Sequence, residues 1–312
     1  MEANLADRRV GARGCQANAT VTVAFALITL VEIWCSTGSS FAKAVAQMGG
    51  AALRVCWPPP RPGRKKARRG RKAAVGRPLD QETPPSEAPK LKAGSKPKVW
   101  FLNLDWESHR AALLAFLRVL KPAPRTRSLH IHTSPPCHMF AIPQRLNIGR
   151  GIFNWDNHAT ALVRLRFARS IHRILRGRRK ALTCTCVSSH EQSLRSSVDL
   201  VKDYDPDSDF PWAVGKRMRR VPVNGCMVGR VSDAGLPVYK GWDFECDSVT
   251  FLKGLKSFHC AGGHQHHPTI WSREEREDPQ SALPQLSTRS LENYTPYLGC
   301  LLAASSSART SR

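Results

Sequence analysis

Apolar positions in the first part of the chain follow the pattern of a β–α–β unit. Residues 19–34 form an apolar run dense in β-branched side chains, which is typical of a buried strand. After a turn of small residues, Phe41, Val45 and Met48 recur at helical spacing, and two glycines end the helix. A second apolar run covers residues 51–57. Strand, turn, helix and strand in this order predict two parallel neighbours in one sheet.

The alternation resumes after a polar interruption. Residues 99–104 read as a strand with Asp105 directly after it, and an amphipathic helix follows. Residues 128–133 form the next strand, and residues 157–177 form a longer helix. A further strand and turn precede residue 194. The pattern predicts an α/β fold with a Rossmann-like, mostly parallel sheet.

The longer helix has two different sides. We predict that its apolar side faces the core: Val163, Phe167, Ile171, Ile174 and Leu175. Arginines occupy the other side: Arg166, Arg169, Arg173 and Arg176. A solvated face is the usual meaning of such a row, and contact with phosphates is the second interpretation.

Composition divides the rest of the chain. Residues 1–18 lack periodicity and are predicted to be a disordered tail, and residues 58–97 are predicted to be a disordered basic insertion with little to bury. Residues 64–72 resemble a nuclear-import or polyphosphate-contact run, although a solvated spacer is an equally open interpretation. Residues 201–270 read as a small β-rich recognition region. Residues 271–312 read as a polar linker and a helix that returns to the main domain.

The main α/β domain therefore comprises residues 19–57 and 98–200 of a 312-residue chain. The formal net charge is +24, which favours polyanionic partners, nucleic acid first and anionic membrane second. A basic tail on a neutral domain is the plainer alternative. Ten cysteines without regular spacing do not form a disulfide framework, so we expect reduced thiols and a nuclear or cytoplasmic location.

One segment allows a different interpretation. Residues 19–34 follow Arg8, Arg9 and Arg13, as the apolar part of a signal peptide follows basic residues. The run is short for a membrane span, which needs about 20 apolar residues, and it contains Glu32. We therefore predict a buried strand and no membrane partner, with a signal or anchor as the alternative.

Unusual residues follow the ends of several predicted strands, where open α/β sheets bind ligands. Ser36 and Gly38 lie in the small-residue turn after the first strand, and Asp105 follows a later one. Cys137 follows two prolines after the next strand, and Glu191 follows the strand after that. A thiol and a carboxylate on neighbouring strand ends could form a nucleophile and an acid. A loop cysteine, a surface carboxylate and an ordinary turn are the plain alternatives.

The order of these parts resembles that of the cytosine-5 methyltransferases, which act on DNA or RNA. The family's first motif, D-L-F-x-G-x-G, corresponds to "VEIWCSTGS", with Glu32, Trp34 and Gly38 at the matching positions. Its Pro-Pro-Cys nucleophile motif corresponds to "SPPCHMF", which contains Cys137. Its Glu-Asn-Val motif corresponds to "HEQS", which contains Glu191. The family's later Asn-x-x-Pro segment, which returns to the cofactor site, corresponds to "NYTP" at residues 293–296.

The resemblance implies covalent catalysis on a cytosine that has left the base stack. Cys137 would attack C6 of the ring, and Glu191 would hold and protonate the ring nitrogen. S-adenosylmethionine would be bound by the residues at the matching positions and strand ends, which are Glu32, Trp34, Ser36, Gly38, Asp105 and Asn293. The expected partner is nucleic acid, DNA ahead of RNA, and the expected protein is a monomer.

The motifs also depart from the family. Ser36 stands where the family often has glycine, and Gln192 and Ser193 follow Glu191 in place of Asn and Val. His138 follows Cys137 where the family has Gln. These departures leave a second interpretation open, a catalytically inactive relative that serves as a basic nucleic-acid-binding module.

A group of cysteines and histidines lies outside these motifs. Cys260, His264, His266 and His267 are close in sequence, and Cys246 lies upstream. Two cysteines and two histidines suffice for a closed tetrahedral zinc site, for which Cys260 and His264 are the named candidates. The spacing fits no common zinc finger, so a solvated His-rich loop is the alternative.

Overall fold

A computed structural model describes residues 27–35, 39–57, 88–136, 138–140, 143–182, 184–193, 218–232, 235–267 and 294–307. Seven strands form one sheet: β1 (Ile28–Ile33), β2 (Ala51–Cys56), β3 (Lys98–Phe101), β4 (Ser128–Thr133), β5 (Thr185–Ser193), β6 (Arg219–Asn224) and β7 (Gly241–Cys246). Six α-helices lie in the described ranges: α1 (Ser40–Gln47), α2 (Glu107–Val119), α3 (Pro143–Gly149), α4 (Trp155–Arg178), α5 (Val249–Leu255) and α6 (Pro296–Ser307).

The sheet has the strand order β3-β2-β1-β4-β5-β7-β6. Strands β1 to β5 are parallel, and β7 runs antiparallel to both of its neighbours. Every residue of β1, β2 and β4 is buried, as expected for parallel strands covered on both faces. The predicted α/β class and Rossmann-like, mostly parallel sheet are confirmed at this level.

The predicted recognition region contributes to the same sheet. Its two described strands, β6 and β7, continue the sheet beyond β5 and do not form a sheet of their own. Parts of the predicted region, residues 201–217 and 268–270, lie outside the described residues. So do the flanking residues 194–200 and 271–293, the predicted tail and most of the basic insertion.

Two helical layers cover the sheet, and the alternation of side chains along β1 divides the core between them. Ile28 and Leu30 join the cluster that α1, α5 and α6 cover, together with Phe41, Phe251 and Leu298. Val31 and Ile33 point to the opposite face and join the second cluster, under α2 and α4. None of the helices in the described part of the chain is long and apolar enough to cross a membrane.

The predicted helices are present, but one residue of α4 that was predicted to face the core does not. Phe167, Ile171 and Leu175 are buried as predicted, but Val163 is 39% exposed. Eight residues at about 100° each place Val163 about 80° around the helix from Ile171, at the margin of the buried side. Small and apolar residues closer to its centre fill that side: Ala161, Leu162, Leu165 and Ala168.

Two strands differ in extent from the prediction. The strand predicted over residues 19–34 begins at Ile28, and residues 19–26 lie outside the described residues. The strand predicted to run to residue 104 ends at Phe101. The chain turns there because the side chain of Asn103 accepts a hydrogen bond from the backbone of Asp105 (3.1 Å), as in an Asx turn.

Candidate functional site

Glu32 is a buried carboxyl group near the carboxyl end of β1. It is 2% exposed, and Ser39 donates a hydrogen bond to its Oε2 at 2.5 Å. Its register neighbours are Arg54 on β2 and His132 on β4. Burial raises the pKa of Glu32 to about 7, against the lowering effect of the Ser39 hydrogen bond and the Arg54 charge. Near neutral pH this group therefore exchanges between its acid and its carboxylate.

Trp34 follows β1 in an unusual backbone conformation. Its φ is 63°, which a bulky side chain rarely adopts and which costs on the order of 1–3 kcal/mol. The backbone is held there by a hydrogen bond from its N–H to the carbonyl of Val55 (3.0 Å). The indole Nε1 is buried and has no hydrogen-bond partner among the described residues. Ser36 and Gly38, the next predicted cofactor residues, lie outside them.

Glu191 lies within β5, two residues before its last residue, and not after the strand as the sequence predicts. Pairing between β4 and β5 stops at His190, so Glu191 pairs only with Phe244 of β7. Ser134 donates a hydrogen bond to its Oε2, and the hydroxyl of Tyr294 donates to the same oxygen at 3.2 Å. Burial raises the pKa of Glu191 despite these hydrogen bonds. Glu191 therefore keeps its proton to a higher pH than an exposed glutamate does.

Cys137 lies outside the described residues, but the chain on each side of it is described. Before it, the backbone N–H of Ser134 donates to the carbonyl of Ile33 (3.1 Å), which carries the β1–β4 pairing past the end of β4. After it, Phe140 is buried in a small cluster beside Leu165 of α4. Both flanks of the predicted nucleophile are therefore attached to the sheet or to α4.

Tyr294 is a site residue that the sequence interpretation missed. Its hydroxyl lies 3.0 Å from His132 Nε2, and its carbonyl accepts a hydrogen bond from Ser40 Oγ at the start of α1 (3.0 Å). Tyr294 thus joins the beginning of α1 to Glu191. The sequence signal was its position beside Asn293, which lies outside the described residues. Ser134, also missed, lies in the "TSPPC" string itself.

Buried histidines continue the polar network towards the middle of the sheet. On the face of α1 and α6, the hydroxyl of Ser189 lies 2.6 Å from His130 Nε2 and 2.8 Å from His132 Nδ1. The other nitrogen of His130 lies 2.7 Å from the hydroxyl of Ser306. Burial lowers the pKa of His132 to about 3 and lowers that of His130 well below its usual value. Both rings are therefore neutral at pH 7.

The face covered by α4 has a matching network. The hydroxyl of Thr133 lies 2.8 Å from His172 Nε2 and 2.7 Å from His190 Nδ1. Burial lowers the pKa of His172 to about 3, and it lowers the pKa of His190 well below its usual value. Four neutral histidines thus lie in the core with hydrogen-bond partners, which is how polar groups are tolerated there.

Asp105 is not brought to this network. Both of its carboxylate oxygens pair with Arg164 of α4, each at 2.8 Å. The guanidinium of Arg164 also lies over the ring of Trp57, 5.1 Å from its centroid. The cofactor contact predicted for Asp105 from its place at a strand end would therefore compete with an ion pair.

The predicted metal candidates are brought together with one change of ligand. Cys260, His264 and His266 are joined by Cys226, and their ligand atoms all lie within 4.8 Å of one another. Among the described residues, neither Cys246 nor His267 belongs to this group. Cys226 lies in the 3₁₀ turn directly after β6, a position for which the sequence interpretation had no argument.

The fold and the site define a Rossmann-like α/β protein with two buried carboxyl groups near the carboxyl ends of parallel strands. No family model matches the chain, and neither does any curated protein or solved structure with which it was compared. Its function is therefore inferred from its own residues.

Proposed function

We propose that the chain is a methyltransferase-like protein that uses S-adenosylmethionine. More particularly, we infer that it acts on cytosine in nucleic acid through Cys137, as the family that it resembles does. The observation that carries the proposal is the hydrogen bond from Ser134 to Glu191. It joins a buried acid to the segment that leads, three residues later, into the predicted nucleophile.

The strand order supports this class. A doubly wound dinucleotide-binding sheet has the order 3-2-1-4-5-6. Here an antiparallel strand, β7, is inserted between β5 and β6. Apart from that inserted strand, the order is that of a doubly wound sheet, which binds ligands beyond the carboxyl ends of its parallel strands.

The residues at the end of β1 fit a cofactor that carries both charge and hydrogen-bonding groups. Glu32 offers a carboxyl group that ionises near neutral pH, and the indole N–H of Trp34 is a buried donor whose partner is not among the described residues. Ser39 caps the start of α1, with its hydroxyl accepting from the N–H of Ala42 (3.3 Å). S-adenosylmethionine would supply an electrophilic methyl group here.

The chemistry assigned to the chain's own residues is covalent catalysis. The thiolate of Cys137 would form a bond to C6 of the cytosine ring, which makes C5 nucleophilic. Glu191 would donate a hydrogen bond or proton to the ring nitrogen during the attack, and a buried acid of raised pKa is suited to this step. After methylation, C5 loses its proton and the thiolate leaves, which restores the aromatic ring.

The test is trapping with 5-fluorocytosine. DNA or RNA containing this base is incubated with the protein and S-adenosylmethionine, and we expect a covalent complex that survives denaturation. Cys137→Ala should abolish the complex, because the attacking thiol is absent. Glu191→Gln should slow its formation by about 10²- to 10⁴-fold while cofactor binding persists. Cys184→Ala is the matched control and should react normally. Cys184 precedes β5 and so lies at the amino end of that strand, away from Glu191.

Two outcomes would contradict this proposal. A complex that forms equally in Cys137→Ala would exclude that thiol as the nucleophile. A protein that binds no S-adenosylmethionine in calorimetry, yet binds nucleic acid in a salt-dependent manner, would exclude the enzymatic role and leave the nucleic-acid-binding module.

That second candidate is favoured by the charge of α4. Arg173 and Arg176 are exposed on this helix, and the whole chain has a net charge of +24. Replacing both with glutamine should weaken nucleic-acid binding and reduce the slope of log K against log salt by about 2, because two phosphate contacts are lost. Lys253→Gln with Lys256→Gln makes the same charge change on the opposite face of the sheet. Equal effects of the two pairs would show that α4 is not the contact surface.

A further inference from the structure

We propose that Cys226, Cys260, His264 and His266 bind one zinc ion in a closed, structural site. This inference does not depend on the proposed function. The site lies beside the far edge of the sheet, where Cys226 follows β6 and the other three residues follow α5.

The distances between the ligand atoms suit a tetrahedral ion. The sulfur of Cys260 lies 3.8 Å from His264 Nε2 and 3.6 Å from His266 Nε2. An ion with bonds of about 2.3 Å to sulfur and about 2.0 Å to nitrogen separates such ligands by about 3.6 Å. The four ligand atoms, which all lie within 4.8 Å of one another, are therefore close enough to share one ion.

The backbone is arranged to hold these side chains in place. Gly262 and Gly263 have φ values of +89° and +85°, so the turn between Cys260 and His264 uses a conformation that favours glycine. The N–H of Gly262 donates to the sulfur of Cys260 at 3.4 Å. The side chain of Asn224, at the end of β6, accepts a hydrogen bond from the N–H of Cys260 at 2.8 Å. Such outer contacts orient metal ligands.

The donor set selects the metal. Two sulfur and two nitrogen ligands in tetrahedral arrangement are typical of zinc, whereas magnesium and calcium prefer oxygen. Two thiolates and two neutral imidazoles also cancel the charge of a divalent ion. This cancellation matters because Cys260 is only 9% exposed.

The ion would cross-link two parts of the chain, the turn after β6 and the loop that carries the histidines. The loop that carries the histidines is attached by the N–H of His267, which donates to the carbonyl of Pro237 at 2.8 Å. Bonds from the ion would connect this loop to the turn after β6, the edge strand of the sheet.

The experiment measures the metal directly in the full chain. Protein purified without chelators is analysed by elemental mass spectrometry, and about one zinc per chain is expected. After exchange for cobalt, we expect the visible and near-ultraviolet bands of a tetrahedral site with thiolate ligands. Cys226→Ser and His264→Gln should each lose the zinc and change these bands. Cys246→Ala and His267→Gln are the matched controls and should keep the metal.

The wild-type protein also gives a test that no substitution can obscure. Removing the metal with a chelator should lower the melting temperature, and adding zinc back should restore it. Absence of zinc together with absence of a tetrahedral cobalt spectrum would overturn the proposal. So would full zinc content in Cys226→Ser, or loss of zinc in His267→Gln with retention in His264→Gln.

Discussion

Lowering the pH from 7 to 5 is expected to destabilise the fold by several kcal/mol. The cause is a set of four buried histidines: His130, His132, His172 and His190. Burial lowers all four pKa values, and it lowers those of His132 and His172 to about 3. In the unfolded chain these rings take up protons below about pH 6.5, whereas in the native state they stay neutral. His132 and His172 therefore each remove about 2 kcal/mol of stability between pH 7 and pH 5, and His130 and His190 act in the same direction.

The buried carboxyl groups act in the opposite direction. Glu32 has a pKa of about 7 in the folded protein and 4.5 as its ordinary value, so the native state binds its proton first as the pH falls. Protonation of Glu32 therefore stabilises the folded protein by about 2 kcal/mol between pH 7 and pH 5. Burial also raises the pKa values of Glu191 and Asp247, so their protonation stabilises the folded protein in the same way. Because four histidines act against three acids, we expect the net change to be a loss of stability.

Chemical unfolding at a series of pH values measures the effect. The free energy of unfolding should fall with decreasing pH below 6.5, and His172→Gln should make the fall less steep by about 1 kcal/mol per pH unit. Glu32→Gln should make it steeper, because the opposing group is gone. The series is run with and without a metal chelator, to separate it from any release of metal. Stability that stays level or rises from pH 7 to pH 5 would show that these histidines are not held neutral.

Replacing Gly299 with alanine is expected to destabilise the fold by about 1–3 kcal/mol. A β-carbon at this position of α6 would lie 2.5 Å from the carbonyl carbon of Ser40 and 2.6 Å from its oxygen. Those atoms are backbone, so they cannot rotate away. The two helices also cannot separate freely, because Phe41 and Leu298 are buried in the same core cluster. The added methyl group must therefore strain the contact between α1 and α6.

Gly177 of α4 gives a matched control for the same substitution. A β-carbon at Gly177 meets nothing within 4 Å, so Gly177→Ala should stabilise the protein by up to about 1 kcal/mol through helix propensity alone. Urea unfolding midpoints of the two variants should therefore move in opposite directions. If Gly299→Ala also stabilised the protein, α6 would have to lie farther from α1 than the structure places it.

The fold could be predicted from the sequence where the signals are local. The spacing of Phe41 and Val45, the glycines after α1 and the apolar runs of β2 and β4 each specify their element without help from distant residues. The extents of β1 and β3 could not be predicted as well, because a strand ends where its neighbour stops pairing. Leu102 and Leu104 continue the apolar alternation past Phe101, where pairing with β2 stops, although Asn103 between them is a turn-forming residue.

The candidate site could be predicted only in part, because its contacts join residues that are far apart in sequence. Ser134 and Glu191 are 57 positions apart, and only the β4–β5 register brings them together. The same holds for the metal candidates. The antiparallel pairing of β6 with β7 places Cys246 opposite Arg219, at the far end of β6 from Cys226. Closeness in sequence favoured Cys246, and strand direction favours Cys226.

The position of the basic insertion has a consequence for the integrity of the protein. The chain leaves the sheet after β2, and when it is next described Ala88 and Leu91 pack on the core and Gly94 donates to the carbonyl of Gly50 (3.0 Å). Strands β1 and β2 lie between β3 and β4, so each piece of a chain cut within residues 58–87 would hold strands that the other piece needs. The two fragments should remain associated as a split protein, with Glu32 on one polypeptide and Glu191 on the other.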